Sequence, residues 1–256
     1  MDPLFPLLGF VVGAVIGLSG MGGGALMTPA LMFSGVPPVI AVGTDLLYAP
    51  LTKFCALVQH QRSGTVNWRV AGLLAAGSLP GAALAMQLLT RLAHDGVDLQ
   101  RLIVTTLSVS LVATAFILIV GHARHGHRAE CRPRAGRWST PLTVAAGFLI
   151  GILVAISSVG AGALGVALLF LLQPQLVAVN IVGSDIAHAL PLAMFAGLWH
   201  LGLGHVDFAL LGSLLLGSLP GTYVGSRLAF IIPERLMRPL LGSVLLAIGL
   251  GMAINV

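Results

Sequence analysis

Long apolar segments separated by short polar stretches recur along the whole chain. Six uninterrupted segments lie near residues 39–60, 68–90, 99–121, 177–200, 206–230 and 236–254. A helix of about 20 residues is long enough to cross the hydrocarbon core of a bilayer. The segments do not alternate apolar and polar positions, as the strands of a transmembrane β-barrel do. The pattern therefore predicts an all-α polytopic membrane protein.

Two further apolar segments, near 5–33 and 143–171, are interrupted by glycine. They contain the runs GLSGMGGGALMTP at 17–29 and SSVGAGA at 157–163. Glycine in a helix interior costs roughly 1 kcal/mol relative to alanine. A single helix over 5–33 would be about 43 Å long, which is more than a bilayer core requires. We therefore predict that each of these segments forms a broken or re-entrant helix.

The chain contains an internal repeat. The matching pairs are GSLPG at 77–81 and 217–221, VGTDL at 42–46 with VGSDI at 182–186, and GMGGGAL at 20–26 with SVGAGAL at 158–164. The first two pairs share an offset of 140 residues and the third has an offset of 138. We predict a first transmembrane repeat over 1–121, a basic cytoplasmic linker over 122–138 and a second transmembrane repeat over 139–256.

The distribution of arginine favours inverted repeats. If each broken segment crosses the membrane once, the halves are parallel and Arg227, Arg235 and Arg238 face outside, which the positive-inside rule disfavours. If each broken segment turns back as a hairpin, these three arginines face inside with the linker, and only Arg91 and Arg101 of the first half remain outside. Repeats of this kind are typical of secondary transporters, whose substrate sites lie where the two halves meet.

Composition supports the membrane assignment and argues against other classes of protein. Hydrophobic residues make up 57% of the chain and charged residues only 8%, whereas soluble domains carry about 25% charged residues. The net charge of +5 does not indicate a nucleic-acid partner, because the basic residues cluster in 121–138 or flank apolar segments, where they set topology. The predicted partners are the lipid bilayer and a small anionic substrate, with no nucleic acid. A homodimer is compatible with the sequence.

The sequence carries no strong catalytic or metal-binding motif. It contains neither HExxH nor a serine in a nucleophile-elbow motif, so we predict that the protein is not an enzyme. The linker offers His122, His125, His127 and Cys131, but their spacing matches no strong metal site. We therefore predict a disordered cytoplasmic loop there, and no metal or other cofactor.

The glycine runs allow two interpretations. Small residues let membrane helices pack closely. Alternatively, a helix break exposes backbone N–H groups at the start of the second half-helix, where they can bind an anion. A soluble phosphate loop is set aside because its lysine and preceding strand are missing. Recurrence of the break in both halves favours an anion site, and its candidate substrate-binding residues are Gly20, Gly22, Gly23, Gly24, Ser158, Gly160 and Gly162.

Two aspartates, Asp45 and Asp185, occupy equivalent positions near the starts of their spans. One interpretation is that these acids and the adjacent Thr44 and Ser184 cap their helices. The other is that the carboxyl groups face the interior of the bundle, as ionisable residues in membranes usually do. We favour proton coupling through one or both of Asp45 and Asp185, with the adjacent hydroxyl residues as candidates for substrate binding.

Two basic side chains share helix faces with these acids. Lys53, the only lysine, follows Asp45 by eight residues, which is about two helical turns. His188 follows Asp185 by three residues. Either side chain can bind an anion, and a histidine can also relay protons. Extension of Lys53 to the membrane interface is an equally good interpretation. Both residues are candidates for substrate binding.

These motifs resemble those of a known family. The run GLSGMGGGALMTPAL, followed by AVGTDL at 41–46 and repeated in the second half, is similar to the sulfite exporter TauE/SafE family of membrane permeases. The resemblance implies a secondary transporter of sulfite, thiosulfate or a small organosulfonate in a bacterial cytoplasmic (inner) membrane. The alternative is a transporter of another small anion, or of a cation that Asp45 and Asp185 bind directly.

Overall fold

The structure is a computed structural model that describes residues 3–19, 24–124, 139–228 and 234–254, and every regular element in these ranges is an α-helix. In chain order the helices are α1 (Leu4–Ser19), α2 (Gly24–Phe33), α3 (Pro38–Arg62), α4 (Trp68–His94), α5 (Leu99–Arg124), α6 (Ser139–Ser157), α7 (Ala163–Leu172), α8 (Ala178–Gly202), α9 (Phe208–Leu228) and α10 (Glu234–Ile254). The predicted all-α fold is confirmed.

Six of these helices, α3, α4, α5, α6, α8 and α9, are long and apolar enough to cross a membrane. Five of them coincide with predicted spans, and the sixth predicted span coincides with α10, whose apolar part is shorter. The second broken segment differs from two equal half-helices. Its first helix, α6, has 19 residues and is itself long enough to cross, whereas α7 has only 10 residues.

Each glycine-interrupted segment forms two helices that make a hairpin. In the second hairpin, the side-chain amide of Gln173, just after α7, donates to the hydroxyl of Thr143 near the start of α6, at 2.9 Å. In the first hairpin, Phe5 at the start of α1 and Gly35 just after α2 line the same cavity. The short helix of each pair therefore returns toward the start of the helix before it.

Helices α3 and α8, which correspond under the repeat, lie side by side and run antiparallel. Gly43 near the start of α3 contacts the backbone of His205, just beyond the end of α8. Gly183 near the start of α8 lies against Thr65, just beyond the end of α3. Inverted repeats would produce this antiparallel pairing. The inversion of the two halves across the membrane stays a prediction, which the helix directions support.

Two seams of close helix packing join the halves. One seam joins α1 to α9 and the other joins α4 to α6. The glycines at these seams are Gly9, Gly13 and Gly17 of α1, Gly217, Gly221 and Gly225 of α9, Gly77 and Gly81 of α4, and Gly147 and Gly151 of α6. At each of them a Cβ atom would collide with a backbone oxygen of the facing helix. The absence of side chains lets the two backbones touch, which is how many membrane helices associate.

Apolar side chains are divided between the interior of the bundle and its outer surface. The largest buried cluster includes Leu46 of α3, Leu74 of α4 and Leu192 of α8. Large apolar side chains such as Phe116 and Leu149 are exposed on the outside. An outer surface of this kind fits a surrounding of lipid rather than water.

Substitution of a seam glycine should destabilise the bundle, whereas substitution of an open glycine should not. Gly81→Ala places a methyl group against the carbonyl oxygen of Phe148, and overpacking of this kind costs about 1–3 kcal/mol. Gly72→Ala on the same helix meets no atom within 4 Å and replaces glycine with a better helix former. Thermal unfolding in detergent should show a lower Tm for Gly81→Ala only; equal Tm values for the two variants would contradict the close seam.

The inverted arrangement can be tested by labelling at the ends of the antiparallel pair. In a background with Cys55→Ser and Cys131→Ser, Ser63→Cys reports the end of α3 and Gly202→Cys reports the end of α8. Both positions are exposed, and Gly202 has no atom near a Cβ position. An impermeant thiol reagent should label the two cysteines from opposite sides of the membrane. Labelling of both from one side would show that the halves are not inverted.

Candidate functional site

Asp45 is a buried carboxylate that joins the two hairpins. It lies two turns inside α3, which begins at Pro38, so the capping interpretation is wrong for this residue. Its Oδ2 atom accepts hydrogen bonds from the hydroxyls of Thr28 in α2, at 2.5 Å, and of Ser158 after α6, at 2.9 Å. Its Oδ1 atom is buried without a partner. The carboxylate therefore has one oxygen held by both halves and one oxygen free for a proton or a ligand.

Asp185 is equally buried but lacks the hydroxyl partners. It lies two turns inside α8, which begins at Ala178, so it does not cap its helix either. Its Oδ1 atom has no hydrogen-bond partner and lies where a Cβ of Gly165 would be. The missing side chain of Gly165 thus makes room for the carboxylate against the first turn of α7.

Lys53 is a buried basic residue close enough to both acids to interact with them. It is 8% exposed, so its side chain stays inside the bundle rather than extending to an interface. Its Nζ atom donates to the carbonyl oxygen of Ala161 in the second helix break, at 3.4 Å. It interacts electrostatically with both Asp185 and Asp45. The structure therefore brings Lys53, the two acids and the second break together; of the two interpretations of Lys53, the burial of its side chain favours the internal one.

His188 and Tyr48 form an equivalent pair that flanks this charged group. The Nε2 atom of His188 lies 2.9 Å from the hydroxyl of Ser78 in α4, and its Nδ1 atom is buried without a partner. Tyr48 occupies the matching position under the 140-residue offset, and its buried hydroxyl group has no hydrogen-bond partner. The sequence analysis did not single out Tyr48. The repeat could have identified it, because the offset maps His188 directly onto it.

The matching runs VGTD at 42–45 and VGSD at 182–185 each contact a loop of the opposite half. The hydroxyl of Thr44 accepts a hydrogen bond from the backbone N–H of Asp207, at 3.2 Å. The hydroxyl of Ser184 accepts one from the backbone N–H of Asn67, at 2.9 Å. Both donors immediately precede a helix, α9 or α4. Both hydroxyl groups thus bond to backbone groups of the opposite half, and their role in substrate binding stays a prediction.

The second helix break has the backbone that its glycines permit. Gly160 and Gly162 have φ values of 134° and 127°, and Ser158 has φ of 59°. Such values are rare for residues with a Cβ atom. In the first break, Gly20, Gly22 and Gly23 lie outside the described residues, and Gly24 is the first residue of α2. Anion binding by the glycines of either break stays a prediction.

Two histidines, His200 in the last turn of α8 and His205 in the loop after it, lie in contact with each other. The Nε2 atom of His200 lies 3.0 Å from the carbonyl oxygen of Ala155, so this nitrogen carries a hydrogen. Its Nδ1 atom lies 3.3 Å from Nδ1 of His205 in the following loop. Burial lowers the pKa of His205 below its ordinary value because it penalises the charged form. With Nε2 of His200 carrying its hydrogen, a neutral His205 can donate from Nδ1 to Nδ1 of His200.

No group of three or more histidine, cysteine, aspartate or glutamate side chains that could hold a metal ion occurs in the described part of the chain. His125, His127 and Cys131 of the linker fall outside that part.

Comparison with known proteins identifies related membrane proteins. The sequence profile described as sulfite exporter TauE/SafE matches residues 5–252. "Probable membrane transporter protein YjnA" of Bacillus subtilis is 37% identical over 252 residues, which cover 95% of this chain and 96% of the relative. "Probable membrane transporter protein YunE" of the same organism is 24% identical over 247 residues, which cover 90% and 88%. "Sulfite exporter TauE/SafE family protein 5" of Arabidopsis thaliana is 35% identical over 63 residues, only 25% of this chain and 14% of the relative. No solved structure matches this chain.

Proposed function

Because this chain belongs to the sulfite exporter TauE/SafE family, we propose that it is a secondary transporter of a small sulfur-containing anion such as sulfite, thiosulfate or an organosulfonate. We place it in the cytoplasmic membrane of a bacterium, with the transported anion bound between the two halves. In this proposal the protein carries out no catalytic step and needs no cofactor, and the energy comes from an ion gradient or from the substrate gradient.

The observation that carries the proposal is the buried position of Lys53 beside the second helix break. A charged side chain inside a membrane is costly and usually marks a substrate or ion pathway. The amine contacts the Ala161 carbonyl at 3.4 Å, which leaves other N–H donors of the ammonium group for an anion. His188 contributes an unpartnered nitrogen near this amine. A sulfonate or sulfite oxygen can accept hydrogen bonds from both groups.

The charges of the site suggest how anion binding and proton binding are coupled. With both aspartates ionised, Asp45, Asp185 and Lys53 together carry one net negative charge, which repels an anion. Protonation of one aspartate makes the group neutral, and protonation of both makes it positive. An anion and a proton therefore favour each other's binding, and this effect is reciprocal by thermodynamic necessity. We propose proton coupling through Asp45 and Asp185 on this basis.

A specific observation also favours the alternative substrate class. Oδ1 of Asp45 and Oδ1 of Asp185 are both buried without hydrogen-bond partners. A buried carboxylate oxygen can be satisfied by a bound cation as well as by a proton. In this alternative, the aspartates bind a cation directly and Lys53 is displaced or neutral. Binding measurements with a panel of ions separate the two proposals.

Binding to purified protein should select sulfur oxyanions and depend on Lys53. The panel comprises sulfite, thiosulfate, sulfoacetate, acetate and sodium, and we expect measurable affinity for one or more of the sulfur anions. Lys53→Met should weaken that affinity about tenfold or more, because a hydrogen bond to a charged group is lost. The control Arg101→Gln also removes one positive charge, but at an exposed position. Binding of acetate alone or of sodium alone would support the alternative, and equal affinities of the two variants would exclude Lys53 from the site.

Transport should respond to a pH gradient through the two aspartates. In liposomes, an imposed gradient should accelerate anion flux by the wild-type protein, and Asp45→Asn or Asp185→Asn should reduce this response at least about tenfold. The control is Asp98→Asn, because Asp98 caps α5 by accepting from the backbone N–H groups of Gln100 and Arg101. Asparagine retains that acceptor. A wild-type flux that ignores the gradient would contradict proton coupling, as would full responses in both site variants.

A further inference from the structure

The Oδ2 atom of Asp45 is the point at which the two hairpins meet through hydrogen bonds. Thr28 belongs to the α1–α2 hairpin, and Ser158 belongs to the break of the α6–α7 hairpin. Their hydroxyls donate to the same carboxylate oxygen, at 2.5 Å and 2.9 Å. Thr28 is fully buried and Ser158 nearly so. A single carboxylate thus joins two segments that are 130 residues apart in the chain.

Ser158 adopts a backbone conformation that would suit glycine better. Its φ of 59° makes it the one non-glycine residue with positive φ among the described residues. Under the 138-residue offset its counterpart in the first half is Gly20. Strained backbone of this kind persists where the surrounding structure requires it, often at functional sites. At Ser158 the hydroxyl group donates a hydrogen bond to Asp45, which a glycine could not do.

The arrangement around Asp45 has no equal around Asp185. The repeat maps Thr28 onto Val166, which has no hydroxyl to donate. Asp185 has an unpartnered Oδ1 against the Gly165 position instead. Lys53 also lacks a counterpart, since the offset maps it onto Ala193. The two acids therefore occupy chemically different sites on a symmetric scaffold.

We propose that Thr28, Asp45 and Ser158 form a latch, in which the ionised carboxylate of Asp45 holds the two hairpins together and the protonated carboxyl group releases them. The proposal deepens the proposed function by giving the proton on Asp45 a structural effect. Thr28 and Ser158 act as positioning residues, through Asp45 rather than on the substrate.

The physical basis is the difference between a charged and a neutral acceptor. Hydrogen bonds to an ionised carboxylate are about twice as strong as bonds between neutral groups. A proton on Oδ1, which has no partner, would leave Oδ2 as the carbonyl oxygen of a neutral acid. Both contacts then weaken at once. Because each hairpin contributes one contact, protonation loosens the hairpins from each other.

Among the described residues, few other titratable groups surround Asp45. On its own helix, Lys53 and Tyr48 interact with it electrostatically. Helix α2 and the second break contribute the hydroxyls of Thr28 and Ser158. From α8, Asp185 acts on Lys53, and the loop before α9 meets the adjacent Thr44 through the backbone N–H of Asp207. A pH response of the latch that persists in Asp185→Asn and disappears in Asp45→Asn is therefore attributable to Asp45.

The distance between the hairpins reports the state of the latch without any substrate. Spin labels at Phe33→Cys, at the end of α2, and Leu171→Cys, near the end of α7, occupy exposed positions. The background carries Cys55→Ser and Cys131→Ser. The distance between the two spin labels is measured by pulsed electron–electron double resonance in lipid nanodiscs. We expect one main distance at neutral to alkaline pH and a second population that grows as the pH falls. Asp45→Asn should show the second population at every pH, and Asp185→Asn should retain the pH response.

Removal of either hydroxyl should shift the same equilibrium. Thr28→Val and Ser158→Gly should each raise the ratio of released to latched protein about tenfold at a given pH, because one hydrogen bond to a charged group is lost. Ser158→Gly also relieves the positive φ, so its thermal stability should not fall. The control Thr106→Val removes a hydroxyl that bonds only to its own helix, at Leu102.

Three results would overturn the latch: a distance distribution independent of pH, an Asp45→Asn distribution identical to the wild type at alkaline pH, or wild-type ratios in both hydroxyl variants. A fall in Tm of Ser158→Gly with unchanged distances would make Ser158 merely structural. Since no anion is added, these results are independent of substrate identity. Failure of sulfur anions to bind would refute the proposed function and leave the latch intact.

Discussion

Close contact between helix backbones at the two glycine seams is the constraint on which the rest of this structure depends. In a lipid surrounding, helices gain little from burying apolar surface against each other, so packing and polar contacts must hold them. The seams join α1 to α9 and α4 to α6, and each seam takes one helix from each half. This packing holds the first helix of each hairpin, α1 or α6, against a helix of the opposite half. The short helices α2 and α7 can then reach Asp45 and Asp185 in the interior.

The same scaffold carries a symmetric framework and an asymmetric site. The framework repeats contact by contact: Thr44 bonds to the N–H of Asp207 as Ser184 bonds to that of Asn67. The two aspartates also repeat, but two residues of the site do not: Lys53 corresponds to Ala193 and Thr28 to Val166. In the proposed function, a symmetric framework allows two related arrangements of the halves. The asymmetric site would then let one proton or one anion favour one of them.

Burial of ionisable groups links the packing to the proposed chemistry. Lys53, Asp45 and Asp185 lie inside a bundle that is surrounded by apolar side chains. Each charge there is stable only with a partner or a proton, since an isolated charge is costly to bury. A change in the charge of one group therefore changes the binding preference of its neighbours. This dependence is what a coupled transporter requires.

Apolar segment length and the internal repeat, both readable from the sequence alone, determined the helical membrane fold, the positions of nearly all helices and the existence of two glycine breaks. They also placed Lys53 on the same helix face as Asp45, and His188 on the same helix face as Asp185. The full length of α6 was not evident, because an apolar segment does not reveal where a glycine-rich stretch ends a helix. The bond from Thr28 to Asp45 and the docking of Thr44 and Ser184 on opposite loops were decided only by the tertiary structure. These contacts join residues of different helices and loops. The spacing of residues along one helix shows which of them share a face, but it does not show which other helix packs against that face.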